Sequence, residues 1–163
     1  MKELLQQYAA YNIWANKTLL GIIDKLGEEK IQREIASSFP SLYKTVCHMW
    51  LAEEAWWQRH KLADKIVLQS ETFTGSFAAL CLELAKQSQH WKNWVDAAND
   101  IQLTHVFAYM RNKEQHKMKV YDMLLHIFNH GTYHRGQLVT MLRQLGEDKI
   151  PATDFSAWCR IKK

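Results

Sequence analysis

Three histidines stand at four-residue steps in the segment LLHIFNHGTYHRGQL: His126, His130 and His134. On a helix each step of four turns the side chain by only about 40°, so neighbouring members of the series face the same way. Two imidazoles on successive turns can aim nitrogens at one point, the geometry of helical metal sites with two histidines four apart. The outer pair is about 12 Å apart along the axis, so all three cannot share one ion. A third ligand must come from another helix, and His48, set among apolar residues in CHMWL, is the candidate. The expected metal ligands are therefore His48, His130 and His134. His126 becomes a hydrogen-bond partner of a ligand or part of a pocket wall.

Three neutral imidazoles leave a divalent metal ion its full charge and an open position, as in catalytic rather than structural sites. Such an ion can bring a bound water to a pKa of about 7, which gives a hydrolase. It can also deprotonate a coordinated thiol, which gives a thiol S-transferase acting through a metal-bound thiolate. Imidazole suits Zn or Ni first, with Fe, Mn or Cu as further options. Small residues support room for a substrate: Thr45, Ala52 and Ala55 share the face of His48, and Gly131 and Thr132 lie between the two ligands on the later helix. Tyr133 and Gln137 are the pocket candidates. Glu53 and Glu54 read as a solvated face or as partners of Arg59, and Arg135 as an ion-pairing residue pointing off the triad's face. Cys47 is about 100° round the helix from His48 and makes a poor co-ligand. His60, His90, His105 and His116 read as surface histidines.

A buried histidine is also commonly a satisfied core residue, and no general base stands out beside the triad. A non-catalytic metal- or ligand-binding helical module is the reading from another class. Other centres have less support. A ferritin-like di-iron bundle needs Glu-x-x-His on two helices, and the chain has no ExxH. HExxH, GxSxG, GxGxxG and Walker patterns are missing as well.

Long helices must carry these residues. Only 6 Gly and 2 Pro interrupt 163 residues, and apolar positions recur at three- and four-residue steps. The pattern predicts helices over residues 2–26, from the end of SSFPSL (capped by Ser41 or Ser38) to 60, over 75–98 and over 121–145, with Gly27 and Gly146 as stop signals and a short terminal helix capped by Asp154 or Thr153. Residues 102–122 predict an extended connection or a short hairpin turning at 111–114. The fold class is all-α, a four-helix bundle in one domain over residues 1–163. An up-down-down-up order is open because the connection between the third and fourth helices is long enough for a crossover.

A net charge of +4 is scattered along the chain, which argues against nucleic acid as a partner. No apolar run approaches the roughly 20 residues of a membrane span. Cys47, Cys81 and Cys159 are odd in number and far apart, as in a reducing compartment, so a cytoplasmic location is expected. The seven Trp read as core, with a dimer interface as the second reading.

YNIWANKTLL, CHMWLAEEAWWQR, NHGTYHRGQ and GEDKIPATDF, in that order along the whole chain, resemble the DinB-like superfamily. NHGTYHRGQ is the specific segment. The resemblance implies a four-helix bundle with a divalent metal on a histidine triad, mapping onto His48, His130 and His134, and often a homodimer. It further implies thiol-dependent transferase or isomerase chemistry, with a small-molecule thiol and an electrophilic substrate, and no DNA-polymerase activity.

Overall fold

The computed structural model describes residues 1–111 and 113–162. Helix α1 (Lys2–Ile23) turns Leu5, Ala9, Leu19 and Ile23 inward at helical spacing. It stops short of the expected boundary, and Gly27 instead heads a brief helix, α2 (Glu28–Gln32). Helix α3 (Leu42–His60) starts on Ser41, whose hydroxyl accepts from the Lys44 N–H at 3.0 Å. Ser76 caps α4 (Phe77–Ala97) in the same way, accepting from Ala79 at 3.3 Å. Asn99 and Gln102 form a reciprocal capping box on a second brief helix, α5 (Asp100–Thr104).

Of the two readings left open for residues 102–122, the hairpin is the one found. Strand β1 (Val106–Arg111) pairs antiparallel with β2 (Glu114–Lys119), Val106 opposite Lys119 and Arg111 opposite Glu114. Helix α6 (Val120–Gln144) carries the histidine series, and Gly146 follows it at φ +85°, a conformation that favours glycine. Asp154 caps α7 (Phe155–Ile161) by accepting from Ala157 at 2.9 Å.

The four long helices form a ring in which α1 and α3 each pack on both α4 and α6. Tyr43 near the start of α3 bonds Gly75 just before α4, and His60 at its end packs on Trp94, so α3 and α4 run parallel. Tyr8 beside Phe128 and Asn12 beside Arg135 make α1 parallel to α6. Gln6 meeting Asp96 sets α1 antiparallel to α4. The order is up-down-down-up. The connection that returns along the bundle is residues 61–76, not the hairpin segment, which stays at one end. Glu54 secures this return by accepting from the backbone of Gln69 and from the backbone and hydroxyl of Ser70.

Two apolar clusters make up the core. One gathers Leu19, Leu42, Val46, Leu80, Leu138 and Leu142; the other gathers Leu5, Trp56, Trp91, Met123, Leu124 and Phe128. A buried polar layer of Asn12, Asn16, Glu53, Ser88 and Arg135 occupies the helices at intermediate height. Among the described residues no helix is long and apolar enough to cross a membrane.

Candidate metal centre

His48 from α3 meets His130 and His134 from α6. His130 Nε2 lies 3.2 Å from His48 Nε2 and 3.0 Å from His134 Nε2. Imidazole nitrogens about 2.0–2.1 Å from a common ion stand roughly 3.0–3.4 Å apart, so both pairs made by His130 match a shared divalent cation, and all three donor atoms lie within 4.8 Å of one another.

The donor chemistry fits too. His134 Nδ1 donates to Gln137 Oε1 at 2.7 Å, which leaves its Nε2 as a bare lone pair facing the other two rings. His130 Nε2 carries at most one proton and can aim it at only one neighbour. A cation uses all three lone pairs at once. The rings are also held neutral. Burial, then His134, pushes His48 down to about 4. Burial, then His134, His48 and His126, pushes His130 down to about 4. His134 is lowered by burial, against the Gln137 bond.

Phe39, from the segment before α3, stacks on His48 with centroids 3.8 Å apart and stands edge-on to His134 at 5.6 Å. It fixes the His48 ring and shields one side of the cluster. Nothing in the sequence pattern singles it out, because it lies outside any periodic segment. Beyond Gln137, a groove of ≈ 270 Å³ runs between α6 and the segment around Ser37, and Tyr133, 62% exposed, stands on its rim. The cavity expected from small residues is not there: of them only Ala52 and Gly131 border a crevice beside His130, and it is too tight to admit a water molecule. Thr45 instead bonds the carbonyls of Phe39 and Ser41, and Ala55 is packed in the core. His126 neither joins the triad nor hydrogen-bonds it; its ring is 5.9 Å from His130 and 5.2 Å from Trp56.

Behind the triad lies the polar layer. Arg135 points off the triad's face, as expected, but it is buried and ends on amides instead of in an ion pair: its Nη1 donates to Asn12 and Asn16 Oδ1, each at 2.8 Å. Glu53 is buried rather than solvated, and it accepts from Asn12 Nδ2 at 3.0 Å and from Ser88 Oγ at 2.8 Å. Arg135, Asn12 and Glu53 thus form one chain from α6 through α1 to α3. Burial raises Glu53 to about 7, against the bonds from Ser88 and Asn12 and the charge of Arg135. Neither Glu53 nor Glu54 pairs with Arg59. This layer was missed from the sequence; the signal that could have found it is Asn12 and Asn16, four apart on the apolar face of α1. Cys47 stays out of the cluster, its thiol pushed by burial up to about 11. Of the four expected surface histidines, His60 is half-buried between Trp91 and Trp94.

The sequence profile of the DinB family matches residues 1–160. Protein DinB of Bacillus subtilis is 29% identical over 182 aligned residues, which cover 100% of this chain and 98% of that one. A crystal structure of a DinB-like protein from Bacillus cereus superposes with a TM-score of 0.66 at 19% identity, over 85% of this chain and 90% of its own. Another, from Bacillus subtilis, gives 0.68 at 13% identity, over 91% and 98%. At these identities the two structures speak to the fold alone.

Proposed function

The chain belongs to the DinB family, and from that premise we propose that it is a divalent-metal-dependent thiol S-transferase, with His48, His130 and His134 as the ligands. The convergence of three neutral Nε2 lone pairs carries this reading. When bound, a divalent ion with an open position lowers the pKa of a thiol presented to it. The reaction joins the thiol sulfur to an electrophilic carbon and releases the leaving group with the thiol's proton.

The chain's own residues prepare that step. Gln137 orients His134, and Phe39 holds His48 and keeps water from one side. The α6 groove beside Tyr133 and Gln137 gives a small molecule access. Glu53 does not serve as the base, because both of its oxygens already accept bonds within the polar layer. One domain, Zn or Ni as the ion, a homodimer and a cytoplasmic setting belong to the same reading.

The test is turnover of an activated aryl or alkyl halide by the Zn- or Ni-loaded protein with each of several low-molecular-weight thiols. The reading expects thiol-dependent turnover that His130→Ala lowers by at least a hundredfold. Turnover without added thiol would favour hydrolysis. Turnover equal to that of His130→Ala across the panel would leave a binding module.

A further inference from the structure

The indole of Trp56, buried in α3, is ringed by groups that carry or can carry positive charge. The Arg59 guanidinium lies 5.0 Å from the Trp56 ring centroid and the His126 imidazole 5.2 Å from it. Tyr109 of β1 packs on the same indole at 5.0 Å. Arg111, two residues along that strand, shares the face of Tyr109 because side chains alternate along a strand. A crevice of ≈ 230 Å³ opens between Arg59, Tyr109 and Met110.

This cluster is not neutralised from within the chain. Asp64 on the crevice, Glu114 opposite Arg111 and Asp122 one turn before His126 make no ion pair with any of the three among the described residues, and Glu114 lies 3.8 Å from His116 instead. Arg59 Nε is buried with no hydrogen-bond partner. An unmatched buried donor on a cation is costly, and a planar oxyanion satisfies a guanidinium fork directly. The charges also act on one another: after burial, Arg111 lowers Arg59, and both arginines lower His126.

We propose that Arg59, Arg111 and His126 form a subsite for the oxyanion of a small molecule, a carboxylate or a phosphate. The subsite adjoins the triad through His126, whose ring is 5.9 Å from that of His130. Given the transferase reading above, on which this point rests, the thiol or its electrophile is an acid, its charged end on the arginines and its reacting end towards the triad.

Metal-free protein tests the subsite, so that an anion held by a metal does not count. Malonate and inorganic phosphate are titrated separately against chloride at matched ionic strength, with the Trp56 indole N–H and the Arg59 Nε–H followed by NMR. The expected result is saturable shifts with malonate, phosphate or both, showing which oxyanion is preferred. Arg59→Gln and Arg111→Gln should each weaken binding at least tenfold, whereas Lys61→Gln leaves it unchanged. Shifts that merely track ionic strength, or that persist in Arg59→Gln, would overturn the proposal and leave Arg59 as a favourable charge at the C-terminus of α3. Saturable binding together with a failed thiol assay would retain the subsite and remove the transferase reading.

Discussion

Gln137 acts on the centre only through His134, by fixing which of its ring nitrogens carries the proton. Gln137→Ala should therefore weaken Zn binding about 10–100-fold while leaving the fold intact, as chelator competition and circular dichroism can check. Glu53 gives a pH signature. Its carboxyl is raised from 4.5 to about 7 by burial, so the folded protein holds a proton that the unfolded chain has released. The stability linked to it is full below about 4.5 and is lost as pH rises through about 7, by a few kcal/mol at most. Denaturant titrations from pH 5 to 8 should show wild type losing stability relative to Glu53→Gln; parallel curves would mean Glu53 is ionised throughout. At this scale the meeting of the three histidines was legible, because a four-residue step sets His130 and His134 on one face of a helix and His48 stands among apolar residues of another. Glu53, Glu54 and Arg135 were not, because a charged residue in a helix defaults to solvent, and their partners Asn12, Ser88 and Ser70 come from other elements.

Within α6, two glycines separate the demands of packing from those of the helix. A Cβ on Gly131 would sit 2.8 Å from Asn12 Oδ1 and 3.1 Å from Arg135 Nη1, inside the polar chain that joins α6 to α1. Gly131→Ala should destabilise the protein by about 1–2 kcal/mol, since overpacking outweighs the helical preference for alanine. Gly136→Ala meets nothing within 4 Å and should stabilise by roughly 0.5–1 kcal/mol. Thermal unfolding of the pair checks both signs. The long helices were legible from their apolar spacing, and of the two serines open as the cap of α3, Ser41 and Ser38, it is Ser41 that caps it. The brief helices α2 and α5 were not, because five residues hold too few repeats to show a period. The hairpin stayed one of two readings because Glu114–Lys119 is almost wholly exposed and lacks an apolar alternation.

Across the molecule, the up-down-down-up order sets His48 on α3 opposite His130 and His134 on an antiparallel α6. That order was one open possibility in the sequence, tied to the wrong connection. What decides it is residues 61–76, whose return along the bundle is secured by Glu54, a residue that reads as solvated until the loop is in place. The central claim is that this arrangement holds one divalent ion between two elements far apart in the chain. The direct measurement is the metal content of untagged protein after exposure to Zn or Ni, by plasma mass spectrometry, for wild type and His130→Ala. The expected result is close to one ion per chain in wild type and almost none in the variant. Wild-type protein that stays empty, or a variant that retains the ion, would contradict it and return the three histidines to the bundle as polar packing residues.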